Sequence, residues 1–170
     1  MNGILVINKP RGMTSHDVVS RVRRILHTKK VGHAGTLDPM ATGVLVVLVG
    51  KATKLSDRML CEKKRYKAGF KLGIETDTYD ITGKVLSEKP VTVSREKISE
   101  CVDSFRGKIS QVPPMYSAIK VGGKKLYELA RRGVTVERKP RNVEIYDISL
   151  CGENMLDICC SKGTYIRSLI

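Results

Sequence analysis

The run Gly32-His33-Ala34-Gly35-Thr36-Leu37-Asp38-Pro39-Met40-Ala41-Thr42-Gly43 encloses one carboxylate in a glycine-bounded loop and leads directly into an apolar segment. Glycine permits close backbone approach and positive φ, and the proline ring fixes the residue after Asp38, so the acid has few conformations open to it. Val44 to Val49, bounded by glycines, reads as a buried strand. The chain is thus predicted to display Asp38 at the mouth of a strand, as a candidate site. On residue types alone, Asp38 serving as a helix or turn cap is the alternative.

The length of 170 residues predicts one domain of ordinary size, with a core and room for a cleft. Lysine and arginine number 31 against 17 acidic residues, a formal net charge of +14, which points to a polyanionic partner and first to nucleic acid. An anionic membrane surface ranks second, but Val44 to Val49 is far too short to span a bilayer. Ile4 to Ile7 ends at Asn8-Lys9-Pro10, so no signal-peptide pattern opens the sequence. The five cysteines, Cys61, Cys101, Cys151, Cys159 and Cys160, form no Cys-x-x-Cys pair and are read as reduced filler in a cytoplasmic protein. Cys159 and Cys160, adjacent in an expected strand, should face opposite sides of a sheet.

Periodicity predicts the remaining elements. Ile4 to Ile7 is a short strand. A helix follows, capped by Thr14 or Ser15, with Asp17 in its first turn and Val18, Val19, Val22, Ile25 and Leu26 on one face. Arg21, Arg23, Arg24, Lys29 and Lys30 lie opposite, as a solvated face or an RNA-backbone contact. Ala52 to Leu60 is read as a short helix, Lys63 to Leu72 as a strand, Thr76 to Asp80 as a polar turn and Gly83 to Leu86 as extended again, the pair forming a hairpin-like unit. Ser94 to Phe105 is helical with Ser94 as cap, and Leu126 to Arg131 is a short basic helix closed by Gly133. Val143 to Cys151 and Met155 to Cys160 are two antiparallel strands. Strands and helices mix without regular alternation, which predicts an α+β fold with a mixed, largely antiparallel sheet and flanking helices. The last residues, Gly163-Thr164-Tyr165-Ile166-Arg167-Ser168-Leu169-Ile170, read as the start of a helix with nothing after it, as in a fragment.

A phosphate-cradling role for the Asp38 loop fits poorly, because neither G-x-x-x-x-G-K-[ST] nor G-x-G-x-x-G occurs. A metal site is disfavoured too: beyond His33 the sequence holds only His16 and His27, and zinc spacings are absent.

Taken together, a series of blocks resembles the TruB-type tRNA pseudouridine synthases. They are Asn8-Lys9-Pro10 with Gly12 and Thr14-Ser15; the Gly32 to Gly43 loop; Lys64-Arg65-Tyr66 leading to Leu72-Gly73 and Thr76-Asp77-Thr78; Gln111-Val112-Pro113-Pro114 with Tyr116-Ser117-Ala118-Ile119-Lys120; Leu126-Tyr127-Glu128-Leu129-Ala130-Arg131; and Gly163-Thr164-Tyr165-Ile166-Arg167. They run in order from residue 3 to residue 169.

The resemblance implies the pseudouridine synthase fold with a central RNA-binding cleft, and an isomerase that needs no metal or organic cofactor. Such an enzyme breaks the N1 glycosidic bond of a uridine, turns the base, and rejoins it to the same ribose through C5. Asp38 matches the family's catalytic aspartate. Cleavage leaves an electron-poor sugar, and a carboxylate can add to it, stabilise it, or take a ribose proton. Kept ionised in a mostly dry pocket, that acid needs a cation, and Arg167 matches the family arginine that pairs with it.

The target base must be flipped out of its loop before reaction. His33 matches a residue near the flipped nucleotide, able to stack there or to hydrogen-bond its own loop. Tyr66 matches the tyrosine that stacks on uracil, although a strand tyrosine is otherwise a packing residue. If its segment is extended, Tyr165 shares a face with Arg167. Lys9 lies in the first block and is expected at the substrate. Lys63, Lys64, Arg65 and Lys67 surround Tyr66, and Arg131, Arg132, Arg138, Lys139 and Arg141 form a second basic group; both suit phosphates. Asp80, with Thr76 to Thr78, either contacts RNA or shapes a turn.

Family members continue past Arg167 with a helix, an Asp-Leu-Gly and Leu-Gly region and commonly a PUA-type RNA-binding domain. None of these is in the sequence, which predicts that residues 1 to 170 are a catalytic domain incomplete at its C-terminus. The resemblance implies action on the T-loop of tRNA by a monomer in the cytoplasm. The alternatives are an RNA-binding or tRNA-folding module without catalysis, and a guide-RNA-directed rRNA pseudouridine synthase relative.

Overall fold

The computed structural model describes residues 1–60 and 63–170; Cys61 lies outside them. The chain separates into two compact units, Met1–Glu62 and Lys63–Ile170.

The first unit holds β1 (Gly3–Lys9), α1 (Ser15–Ile25), β2 (Val31–His33), β3 (Gly43–Val49), a 3₁₀ segment (Gly50–Leu55) and α2 (Ser56–Leu60). Its sheet runs β1-β3-β2, both pairs antiparallel. Strand alternation sends Leu45, Val47 and Val49 to a core shared with Val18, Val19 and Val22 of α1 and Val31 of β2. Val44 departs from the expected buried run: it is 69% exposed, although Leu48, on the same side of β3, is fully buried. Thr14, not Ser15, caps α1: its Oγ1 accepts from Asp17 N–H at 3.0 Å, while its own N–H donates to Asp17 Oδ2 at 2.8 Å. The segment expected as one helix from Ala52 divides into the 3₁₀ turn and α2.

The second unit holds β4 (Lys64–Gly69), β5 (Ile74–Thr76), β6 (Val85–Glu88), α3 (Arg95–Asp103), β7 (Gly107–Gln111), β8 (Lys120–Val121), β9 (Lys124–Lys125), α4 (Leu126–Ala130), β10 (Arg141–Leu150), β11 (Met155–Cys160) and α5 (Ile166–Leu169). The main sheet, β4-β11-β10-β7, is antiparallel throughout, as are the ribbons β5-β6 and β8-β9. Its core joins Ile145, Ile148, Leu156, Ile158 and Cys160 to Val102 of α3 and Leu169 of α5. A register shift in β10 between Ile145 and Asp147 explains how residues three apart both point inward: the extra residue breaks the two-residue alternation. Cys160 is buried and Cys159 less so, as their opposite facing requires. The described cysteines, Cys101, Cys151, Cys159 and Cys160, are free. Among the described residues no helix is long and apolar enough to cross a membrane.

Candidate functional site

In the first unit, Asp38 is half-buried in the link from β2 to β3, and the backbone around it is anchored on both sides. Leu37 N–H donates to Ser15 Oγ at 2.9 Å, and Ser15 Oγ lies 3.3 Å from Leu37 O. Pro39 O accepts from Gly12 N–H at 2.8 Å and from Lys9 Nζ at 3.2 Å. Asp38 O closes a turn with Ala41 N–H at 3.0 Å.

Lys9, expected at the substrate, is fully buried instead. Its ammonium donates to Met13 O at 2.6 Å, Pro10 O at 3.0 Å and Pro39 O. Burial pulls its pKa below the usual lysine value, with the Asp38 charge acting the other way. Lysine is rarely buried without partners, and here they are two backbone carbonyls of the link between β1 and α1 and that of Pro39, the residue after Asp38. His33 ends β2 with Nδ1 2.6 Å from Gly35 O, so an Nδ1–H tautomer bonds its own loop.

In the second unit, Arg167 sits on α5, where its guanidinium donates from Nη1 to Thr78 O at 3.0 Å and from Nη2 to Tyr116 O at 2.9 Å. Asp80 Oδ2 is 3.8 Å from Nη1. The other oxygen of Asp80 accepts from Thr78 Oγ1 and Thr82 N–H, each at 2.9 Å, and from Thr82 Oγ1 at 2.5 Å. Burial opposes the charge on Asp80, but the Thr82 and Thr78 donors and the Arg167 charge together hold its carboxyl below the usual aspartate range. Asp80 therefore shapes the β5-β6 turn and partners Arg167 at once. Arg167 also lines an open cavity with Tyr79, Ile109, Gln111 and Leu169.

Tyr165 and Arg167 do not share the face of an extended segment, because α5 begins at Ile166 and Tyr165 is its half-buried cap. A residue that sequence reading left without a role fixes this turn. Gln111, buried at the end of β7, accepts from Tyr165 N–H at 3.0 Å and donates to Tyr165 O at 3.3 Å. Its only signal was a glutamine before Pro113-Pro114.

Tyr66 lies opposite Ile158 in the β4-β11 register and packs on the core of this unit, partly exposed. Lys64 shares its side of β4. Arg65, on the other side, pairs with Asp157 through Nε and Nη2 at 2.7 and 3.2 Å while its side chain stays largely exposed. Lys63 Nζ stands 4.4 Å over the Tyr146 ring. Arg131, exposed after α4, stacks at 5.5 Å over the Tyr127 ring beside Lys125. Arg138 donates to Pro113 O at 3.3 Å. Among the described residues no group of three or more His, Cys, Asp or Glu is placed to hold a metal ion.

The fold and these two side-chain groups define an antiparallel α+β protein with an anchored aspartate loop and a partly buried arginine. Residues 23–166 match the TruB family pseudouridylate synthase N-terminal domain. The chain belongs to this family. It is 58% identical to tRNA pseudouridine synthase B of Alkaliphilus oremlandii, over 99% of this chain and 58% of that protein. Against tRNA pseudouridine synthase B of Clostridium kluyveri the identity is 54%, over 99% and 60%. The chain thus spans about three-fifths of the length of these curated relatives. Among solved structures, a chain of a Cbf5-Nop10-Gar1 complex matches with TM-score 0.71 and 32% identity, over 98% of this chain and 42% of that one. An H/ACA RNP bound to a substrate RNA containing 2′-deoxyuridine matches with TM-score 0.66 and 29% identity, over 98% and 40%.

Proposed function

We propose that this chain carries the catalytic region of a tRNA pseudouridine synthase acting on a T-loop uridine. The observation that carries the reading is Asp38, in a chain of the TruB family, on a loop whose backbone is anchored immediately before and after the acid. The 58% identity to a tRNA pseudouridine synthase B, against 32% to a chain of the Cbf5-Nop10-Gar1 complex, favours tRNA over a guide-directed target.

The reaction is an isomerisation. The uridine is flipped out of its stack. The N1–C1′ bond breaks, the base turns, a C5–C1′ bond forms, and the C5 proton is lost as N1, freed of the sugar, gains one. Asp38 offers its carboxylate to the electron-poor sugar while the base is detached. Arg167, with Asp80 beside it in the second unit, is the cation that the family reading assigns to catalysis. His33, Tyr66 and Tyr165 provide ring surfaces for the flipped nucleotide, and Lys64 and Arg131 meet phosphates. The protein acts as a monomer in the cytoplasm.

The test is direct: incubate the chain with an unmodified T-loop stem-loop, assay pseudouridine, and compare Asp38→Ala. Product that depends on Asp38 supports the isomerase. Tight binding without product selects an RNA-binding module, and normal turnover by Asp38→Ala removes the acid from its role.

A further inference from the structure

Ser15 opens α1 with 2% of its surface exposed, yet the helix does not need its hydroxyl, because Thr14 caps the first turn. The hydroxyl turns to a residue 22 positions away. Oγ accepts from Leu37 N–H at 2.9 Å and, at 3.3 Å, faces Leu37 O as a donor. One side chain thus meets both hydrogen-bonding groups of the residue before Asp38, as a neighbouring strand would. On the other side, the ring of Pro39 restricts its own φ, and its carbonyl is held by Gly12 N–H. Asp38 has a fixed peptide before it and another after it, so the direction in which its side chain leaves the backbone follows from these anchors.

We propose that Ser15 is a positioning residue for Asp38, orienting the catalytic carboxylate through Leu37 without touching the RNA. The proposal rests on the reading that Asp38 acts on the ribose. Misplacing a reacting group by about 1 Å costs on the order of 100-fold in rate, so loosening Leu37 should be felt in turnover more than in binding.

The experiment compares the unmodified chain with Ser15→Ala and Thr14→Ala, the latter weakening the helix cap without removing the Leu37 clamp. Hydrogen exchange is followed at Leu37 and Ala41 and along Val19 to Arg23, together with single-turnover pseudouridine formation and RNA affinity on a T-loop stem-loop. For Ser15→Ala, exchange at Leu37 should rise at least about tenfold with the α1 amides unchanged. Turnover should fall by about tenfold or more while RNA affinity stays within about twofold. Thr14→Ala should loosen the α1 amides and leave turnover near that of the unmodified chain. Unchanged Leu37 exchange in Ser15→Ala overturns the proposal, and so does lost affinity with an unchanged rate. If the unmodified chain makes no pseudouridine while Leu37 exchange still rises in Ser15→Ala, the clamp stands and the isomerase reading fails.

Discussion

The carboxylate of Asp80 faces the guanidinium of Arg167 at 3.8 Å, with 26% and 14% of the two side chains exposed. A pair at this depth is neither a screened surface contact nor a dry ion pair. It couples the β5-β6 turn to α5, and Thr78 serves both partners, through its carbonyl to Arg167 and its hydroxyl to Asp80.

Asp80→Asn should lower stability at neutral pH by about 1–2 kcal/mol, between surface and buried pairs. The folded carboxyl titrates below its ordinary value, so its contribution is complete above about pH 3.9 and is lost as pH falls through the lower folded value. Urea unfolding of both proteins at neutral pH and in strong acid should show the gap closing in acid. A gap that persists there refutes the assignment.

Lys9→Met keeps the volume but takes the donor from Met13 O and Pro10 O, at a cost of about 1–3 kcal/mol. The pH dependence has the same sign as that of Asp80 but falls in the alkaline range. Burial lowers the folded pKa of Lys9, so the unfolded chain binds more protons and the wild type gains stability relative to Lys9→Met as pH climbs toward about 10.4. Paired thermal melts across that range measure the difference.

A Cβ added at Gly83 would meet Thr78 Oγ1 and Asp77 Oδ1 at overlapping distance. Gly83→Ala must therefore displace the hydroxyl that donates to Asp80, and should destabilise by about 1–3 kcal/mol. Gly12→Ala, with open space around its Cβ, suffers only its positive φ. Chemical denaturation that ranks the Gly83 variant no less stable than the Gly12 variant would contradict this.

RNA affinity should fall steeply as salt rises, because the partner is a polyanion. Lys64→Ala and Arg131→Ala should each weaken binding across unrelated RNA sequences and reduce the salt slope by about one phosphate. Arg65→Ala should change the slope less, since its guanidinium is held by Asp157. Filter-binding titrations at several salt concentrations distinguish the three.

Local chemistry was legible without coordinates. The cap at Ser94, the narrowing of the α1 cap to Thr14 or Ser15, the α1 face of Val18, Val19 and Val22, and the β10 and β11 strands were predicted because their signals lie within a few residues of one another, whereas Ile25, expected on that face, is exposed. The bulge in β10 was not, because register depends on the neighbouring strand. The expected common face of Tyr165 and Arg167 failed because Gln111, 54 residues earlier, anchors Tyr165 where α5 begins.

The mixing of strand and helix signals determined the antiparallel α+β class, and the order of motifs determined the family and the identity of Asp38 and Arg167 as the residues to examine. Folding alone decided that Lys9 is buried among carbonyls, that Asp80 belongs to Arg167, and that Ser15 belongs to Leu37. The physical reason is the range of each interaction. Propensity and capping act along the chain, whereas a buried charge or hydroxyl takes its meaning from whatever distant backbone satisfies it.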